Sequence, residues 1–477
     1  MFPMMKPLEQ YLNKTETELN LAVLIYFIGQ GCSPMVLSTF ADSFGRRPVC
    51  CLCLFCYVCI TIGLALLKNY ATLMVLRFLQ ACSVSALIAI NSGIASDISN
   101  SKNKGRYVGF TSALTLSGQA LGPLISCFIQ NDQFAGSTYT TAWRAVWWYL
   151  VIGGFISFIL QAFFLIETNK SIVGDLSVKP KSWINISPYT LLIKKQFHWD
   201  QPKYNTITKK SKVNLLRTLQ IVSFKEVYFV LFGFGIQFAC WTLNLNAISA
   251  FLTVAPYNYS IKKVAYIYLA PGLSGLLGCI ISGRIIDYYY KKEVQSFQED
   301  KKTGKLPKDA KFNIIKARLW SSMPQNFLCI IVYCIFGWSI KCHWPLAVTV
   351  VMSALGSYCS MSSLAYCSAL LCSLFPTEAS SANASYNLVR CLLAALFTAV
   401  FDKMNSAMTV GGTFSLLCGI MFVSNLLMYI SMFRGMKWVE ERERKESLKE
   451  EEEEEDNEDD DGEEEDNVDL DVENVKK

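Results

Sequence analysis

Long apolar runs separated by short polar stretches dominate this chain. Each run is long enough to cross about 30 Å of hydrocarbon as a helix that rises 1.5 Å per residue. The runs are continuous rather than alternating, and a span must satisfy its own backbone polar groups, so the pattern predicts α-helices rather than barrel strands. We predict eleven spans: residues 21–41, 50–67, 71–95, 108–130, 143–166, 227–253, 264–286, 319–340, 345–372, 383–401 and 413–433.

Lysine and arginine are concentrated in alternate loops. The connection 168–225 carries eleven of them and the connection 284–318 carries ten, whereas the loops 131–142 and 402–412 carry almost none. By the positive-inside rule the basic loops are cytoplasmic. This predicts a cytoplasmic C-terminus and, because the number of spans is odd, an N-terminus on the opposite side.

Composition supports a membrane protein with an acidic tail. Hydrophobic residues make up 52% of the 477 residues and charged residues 17%, against about 25% charged in soluble domains. Residues 450–473 hold 18 of the 39 acidic residues, so residues 1–449 have 42 Lys and Arg against 21 acidic residues, a net of +21. An acidic run of this kind cannot build a core and is predicted to be disordered. The predicted regions are an N-terminal bundle (1–167), a basic central loop (168–225), a C-terminal bundle (226–436) and an acidic tail (437–477).

The chain lacks the sequence patterns of an enzyme or a metal site. Its 18 cysteines lie mostly in apolar runs, and its two histidines are His198 and His343. Neither the spacing of a zinc site nor a phosphate-binding Gly-Lys loop is present. We therefore expect no enzymatic activity, no cofactor, no metal, no nucleic acid partner and no ATP-driven pump.

Two similar segments indicate an internal repeat. Residues 38–49 (STFADSFGRRPV) and 281–292 (ISGRIIDYYYKK) each follow a span, carry an Asp and open a basic loop. Two-repeat transporters show this kind of internal symmetry. In the second half an additional span (227–253) comes before the span that ends in this feature, whereas in the first half the feature follows the first visible span. We therefore expect one helix to be missing at the N-terminus.

Several motifs resemble those of a known transporter family. The residues concerned are Ala41, Asp42, Gly45, Arg46, Arg47 and Pro48; Arg77, Phe78, Leu79 and Gln80; Gly118, Gly122 and Pro123; Trp143-Arg144; Glu167-Thr168 with 171–174; and 387–391. In these residues the chain resembles fungal members of the major facilitator superfamily, among them the twelve-span drug:proton antiporters, and most closely the quinidine-resistance type of yeasts. The departures are Ser38 and Ala81, where the family has Gly, and Ser126-Cys127 in place of a Gly pair.

The resemblance implies an all-α major facilitator fold of two six-helix pseudo-repeats. Residues 2–20 resemble the outer end of the family's first helix and the loop that follows it. We therefore expect a shortened gene model that lacks nearly all of that helix. A transport-inactive membrane sensor or scaffold is the alternative that follows from such a loss.

Charged residues near the ends of the spans are candidates for a conformational latch. Asp42 and Asp287 can pair with arginines or with helix ends, and Gly45 permits a tight turn beside Arg46 and Arg47. Plain positive-inside anchoring is the alternative interpretation.

Other residues are candidates for proton coupling, the substrate cavity and a hinge. Facing a cavity would lower the cost of placing Arg77 and Arg390 in a membrane, and Gln80 lies on the same helix face as Arg77. The alternative for Arg77 is that it extends to the outer surface. Gly118, Gly122 and Pro123 predict a hinge or a close helix contact. Weaker cavity candidates, some of which could simply connect helices, are Gln237, Trp241, Asn244, Tyr366 and Asn387. Asn13 and Asn258 are weak glycosylation candidates.

These patterns predict a plasma-membrane exporter of small amphipathic molecules or drugs, with a vacuolar location as the alternative. We expect a monomer that exchanges substrate for protons by alternating access. No Asp or Glu lies deep in a predicted span, so either the missing first helix carries the coupling carboxylate or coupling uses a group near a span end. A uniporter or an importer of organic ions with the same fold stays open.

Overall fold

The computed structural model is a bundle of long helices. It describes residues 8, 11–14, 16–129, 142–174, 176, 178–180, 182–192, 216–252, 257, 259, 261–305, 307, 311–376 and 378–474. The helices are α1 (Glu16–Phe44), α2 (Arg46–Ala65), α3 (Tyr70–Asp97), α4 (Lys104–Ile129), α5 (Ala142–Phe164), α6 (Lys170–Val173), α7 (Pro188–Leu192), α8 (Arg217–Ser223), α9 (Lys225–Leu252), α10 (Ile261–Ile267), α11 (Leu269–Lys302), α12 (Ile314–Leu319), α13 (Met323–Lys341), α14 (Leu346–Leu374) and α15 (Ala379–Asn474).

The predicted spans coincide with these helices. Within the described residues, nine helical stretches are long and apolar enough to cross a membrane. One of them, Ala379–Arg442, has 64 residues and contains two predicted spans, separated at Thr409, whose φ of 65° and ψ of 164° are not helical. Helix α4 holds the remaining span. All eleven predicted spans therefore lie on helices, apart from a few residues at their ends.

The end of the last membrane helix lies further along the chain than predicted. Trp438 contacts the ring of Phe229 at 6.3 Å, Val439 is buried, and Arg442 pairs with Glu226 at 3.1 Å. Residues 437–442, predicted to begin a disordered tail, thus pack on the second half of the chain. The helix bounds continue to Asn474, through the acidic segment for which composition predicts disorder.

Two helix bundles meet along a common interface. Helices α1–α5 form the first bundle, and α9–α15 form the second. Helix α1 packs against the first part of α15, and α4 packs against α11 and α14. The turn at Gly45, the connection 98–103 and the first turns of α4 and α15 lie at one end of the bundles, joined by the contacts of Arg46, Asp287 and Arg318, and we call this end the basic face.

Candidate functional site

Asp42 joins the two bundles at the basic face. Its Oδ2 accepts hydrogen bonds from the Ser381 backbone N–H (3.0 Å) and hydroxyl (2.7 Å). Ser381 lies in the first turn of α15, where backbone N–H groups have no partner inside the helix and the helix dipole favours a negative charge. The Asp42 carboxylate therefore holds the start of a helix that belongs to the other bundle.

Arg46 completes this contact. Its guanidinium forms an ion pair with Asp42 and donates to the Ser380 hydroxyl. Its Nε donates to Asp97 Oδ2 at 3.2 Å. Arg46 is 2% exposed, so its charge is stabilised by two carboxylates rather than by water.

Glu167, to which the sequence analysis assigned no role, fixes the turn between α1 and α2. Its carboxylate accepts from the backbone N–H groups of Arg46 (2.9 Å) and Arg47 (3.1 Å), the first two residues of α2. Gly45 precedes them with φ 119°, and a Cβ there would lie 2.5 Å from Glu167 Oε2. A residue with a side chain would be strained at this position and would displace the carboxylate.

Arg47 points away from the bundle interface. Its guanidinium donates to the Ile184 carbonyl and, at 2.7 Å, to the Ala162 carbonyl. Both partners belong to the first half of the chain. Arg47 therefore fastens α2 to the end of α5 and to the segment that follows it.

Asp287 makes the equivalent contact from the second bundle. Its two carboxylate oxygens accept from the backbone N–H groups of Gly105 and Arg106, both at 2.8 Å. These residues lie in the first turn of α4. Arg318 is 3.6 Å from the same carboxylate and donates to the Ser101 carbonyl at 2.7 Å. The repeat seen in the sequence is thus a pair of carboxylates, each holding the start of a helix across the interface.

Lys104 adds a further connection that the sequence analysis did not identify. Its Nζ donates to the carbonyl of Cys372, near the end of α14, at 2.7 Å. A cation at the C-terminal end of a helix complements the helix dipole. In the sequence, Lys104 is marked only by its position at the start of a predicted span. Many basic residues that merely anchor a span lie at such positions.

Glycines allow α4 and α11 to cross closely. A Cβ on Gly109 would lie 2.6 Å from the Cys279 carbonyl oxygen and 2.9 Å from the Cα of Gly283, and a Cβ on Gly105 would lie 2.7 Å from Asp287. By contrast, a Cβ on Gly118 or Gly122 would meet no atom of the described residues within 4 Å. The close contact lies near the basic face, about three helical turns from the predicted hinge. Pro123 belongs to the continuous helix α4.

A narrow cleft lies between the bundles, further from the basic face. Its volume is about 10 Å³, the room of about one water molecule. Among the described residues that line it, Arg390 carries the only charge. Polar and aromatic residues of the lining are Asn91, Ser92, Thr111, Ser112, Thr115, Ser368, Asn383, Tyr386 and Asn387.

Asn387 and Arg390 connect the cleft to both bundles. The Asn387 side chain donates to the Gln30 carbonyl of α1 at 2.5 Å. Its Oδ1 accepts from Arg390 Nε (3.0 Å) and Nη2 (2.6 Å). The Arg390 guanidinium lies 4.7 Å from the centre of the Phe238 ring. Both predicted residues therefore lie at the cleft, with the arginine held by an amide and an aromatic face.

Arg77 lies inside the first bundle and is 8% exposed. Its guanidinium stacks on Trp147 (4.9 Å) and Tyr26 (5.4 Å) and donates to Gln80 at 3.0 Å. Within the described part of the chain, no carboxylate pairs with it, and its Nε has no partner. Aromatic faces and one amide thus stabilise this cation in place of an acid.

The remaining predicted cavity residues lie inside the second bundle. Gln237 donates to Asn326 (3.0 Å) and Asn244 to Ser353 (3.0 Å), while the Tyr366 hydroxyl reaches the Ser321 carbonyl (3.3 Å). Trp241 packs on Phe238, and its indole N–H has no partner among the described residues. The first three connect helices of one bundle. Of the two glycosylation candidates, Asn13 is exposed and has φ 51°, and Asn258 lies outside the described residues.

Comparison with known proteins decides the family. The model of the Major Facilitator Superfamily matches residues 1–399. This chain belongs to the major facilitator superfamily. As a superfamily member it is a multi-pass membrane transporter of small molecules, not an enzyme.

Relatives and a solved structure agree with this assignment. The chain is 41% identical over 451 residues to "Multidrug transporter AQR1" of Candida glabrata, which covers 94% of this chain and 75% of the relative. It is 33% identical over 443 residues to "MFS antiporter QDR1" of Candida albicans, which covers 92% of this chain and 85% of the relative. The proton:xylose symporter XylE has the same fold, with a TM-score of 0.65 at 15% identity over 89% of this chain and 90% of XylE. The major facilitator fold predicted from the repeat and the motifs is confirmed.

Proposed function

We propose that this protein exports small amphipathic organic molecules or drugs across the plasma membrane in exchange for protons. The basic face would be cytoplasmic, as the distribution of Lys and Arg favours, and the C-terminus would lie on the same side. The names of the two relatives, a multidrug transporter and an antiporter, support the same activity. The protein would act as a monomer, because one chain holds both bundles and the cleft between them.

The proposed mechanism rests on one arrangement. The contacts across the interface join the two bundles at the basic face, and the cleft lies further from that face than these contacts. Asp42 holds the start of α15, and Asp287 holds the start of α4. With both contacts formed, the bundles would stay joined at the basic face, and a solute in the cleft would not reach that face. Releasing them would let the bundles separate there, which is alternating access. Asp42, Arg46 and Asp287 are in this proposal the latch, with Gly45 and Arg47 as its support.

The cleft would admit substrates through its aromatic and amide groups. Binding sites for organic molecules combine apolar walls with a few polar groups, and here Arg390 and Asn387 supply the polar groups beside Phe238 and Tyr386. The closed cleft holds about one water, so substrate entry requires the bundles to move apart.

Proton coupling would use groups near the ends of the spans together with the buried Arg77. In the described part of the chain, Asp42 and Asp97 lie near the ends of candidate spans, and Asp287 directly follows the predicted span 264–286. Protonating Asp287 would remove the negative charge that holds the start of α4, so the latch itself would be a route by which proton binding favours opening.

Transport by purified protein in liposomes tests the proposal. Wild type should move a fluorescent amphipathic compound against its gradient when a pH gradient is imposed, and a protonophore should abolish this movement. Arg390→Ala should reduce it while the protein remains folded, as judged by its melting temperature. A sensor or scaffold would give no flux in wild type, and a uniporter would give downhill flux that the pH gradient leaves unchanged.

A further inference from the structure

Residues 182–192 expose apolar side chains to solvent next to the basic face. This segment, which we call the apolar turn, consists of the 3-10 helix Trp183–Asn185 and the short helix α7. Trp183 is 81% exposed and Leu192 74%, and Ile184 and Leu191 are also exposed. Four exposed apolar side chains this close together form a hydrophobic patch, and such patches mark contact surfaces.

Contacts with two spans fix the position of the apolar turn relative to the ends of α2 and α5. The Ile184 carbonyl accepts from Arg47, at the start of α2, and the ring of Tyr189 lies 5.5 Å from that of Phe164, at the end of α5. The Asn185 amide donates to the Phe44 carbonyl at 3.3 Å. Because α2 begins and α5 ends at these residues, the turn lies at the level where both helices leave the membrane.

The patch continues the apolar outer surface of the same two helices. Leu52 and Phe55 on α2, and Leu160 and Phe164 on α5, are each more than half exposed, as expected for side chains that face lipid. The connection 168–225, which contains the turn, carries eleven Lys and Arg against Asp175 and Asp200. A basic segment is attracted to the negatively charged inner leaflet.

We propose that the apolar turn inserts into the adjoining leaflet, at the boundary between headgroups and acyl chains, as an interfacial membrane anchor. Tryptophan prefers this boundary, and short amphipathic segments bind there through their apolar face. The acidic segment 450–473 offers almost no apolar surface and does not suit the patch. The anchor is joined to the latch, because Arg47 binds the Ile184 carbonyl while the Glu167 carboxylate binds the Arg47 N–H.

Photo-crosslinking of the full chain in nanodiscs of phosphatidylcholine and phosphatidylserine tests this anchor. A benzophenone amino acid replaces Trp183 in one variant and Leu192 in a second, so that a folding defect in one does not decide the result. Phe155, an exposed residue in the middle of α5, is the lipid-facing positive control. Lys305, whose side chain is 75% exposed beyond the end of α11, is the water-facing control.

The expected result is lipid adducts at positions 183 and 192 in yields close to that at 155 and several-fold above that at 305. Adducts to protein at 183 and 192, with lipid adducts at 155, would show that another part of a polypeptide covers the patch and would overturn the proposal. Yields at both positions as low as at 305 would also overturn it, because they would place the turn in water. The readout is independent of transport, so it does not depend on whether the proposed export is correct.

Discussion

Asp42 and Asp287 make the same contact in opposite directions across the bundle interface. Asp42, on α1, binds the first turn of α15, and Asp287, on α11, binds the first turn of α4. Each carboxylate replaces the missing intrahelical partners of backbone N–H groups. The two contacts relate the bundles as a pseudo-two-fold pair, in which each bundle supplies one carboxylate and the first turn of one helix.

Neutralising either carboxylate should open the basic face. In Asp287→Asn the oxygen that remains accepts more weakly, and the amide N–H₂ group faces the N–H groups of α4. Hydrogen bonds to a charged group contribute about 1.5–3 kcal/mol, so a loss of about 2 kcal/mol would shift the closed-to-open ratio about 30-fold. Spin labels at the basic ends of α4 and α11 should show a longer distance in the variant.

The control for this prediction is Asp300→Asn on the same helix. Asp300 lies 3.8 Å from Lys305 at an exposed position, and exposed pairs of this kind contribute little. Asp42→Asn should resemble Asp287→Asn. A distance distribution in both latch variants equal to that of Asp300→Asn would contradict the latch.

Arg77 should matter for coupling rather than for stability. Arg77→Met keeps a long side chain that packs on Trp147 and Tyr26 but removes a buried charge, which is costly in a membrane. The melting temperature should stay the same or rise. Proton-driven export should fall by about 5- to 150-fold, the usual range of coupling between two sites. Equal losses of stability and export would indicate a structural residue.

Arg442 should stabilise the second bundle. Its guanidinium lies against the rings of Phe224 (4.9 Å) and Phe375 (4.8 Å) and pairs with Glu226. Arg442→Ala leaves the Glu226 carboxylate, which is 2% exposed, without this cation. Removing one partner of a buried pair costs about 3–5 kcal/mol, so thermal unfolding should occur at a clearly lower temperature.

A second substitution separates the ion pair from the stacking. Adding Glu226→Gln to Arg442→Ala removes the uncompensated charge and should recover part of the lost stability. Arg434→Ala, on the exposed face of the same helix, is the matched control and should change little. A double variant as unstable as the sum of the two single variants would show that the pair is not coupled.

The sequence predicted the spans well and the partners across the interface poorly. Apolar length alone identifies a span, and the repeated Asp identified Asp42 and Asp287. The partners Ser381 and Gly105 lie 339 and 182 residues away. No feature of the neighbouring sequence identifies these partners, because a membrane helix is apolar on every side and its pattern does not show which side meets the other bundle. For the same reason, the sequence analysis assigned no role to Gly105, Gly109, Glu167 and Lys104. It also made Gln237 and Asn244 resemble cavity residues.

The two glycine pairs of α4 should respond in opposite ways to alanine. Gly109→Ala places a methyl group 2.6 Å from the Cys279 carbonyl and 2.9 Å from the Cα of Gly283. Both neighbours are backbone atoms that cannot rotate away, so α4 and α11 should separate at a cost of about 1–3 kcal/mol. The melting temperature and the closure of the basic face should both decrease.

Gly118→Ala is the matched change about two and a half turns away, where a methyl group meets no atom of the described residues within 4 Å. Alanine favours a helix over glycine by about 1 kcal/mol, so the melting temperature should stay the same or rise. If Gly118 and Gly122 serve as a hinge, Gly118→Ala with Gly122→Ala should slow export because the stiffer helix bends less readily, while substrate binding is retained. A double variant that is both more stable and fully active would remove the hinge from the mechanism and leave the crossing at Gly105 and Gly109 as the functional use of glycine in this helix.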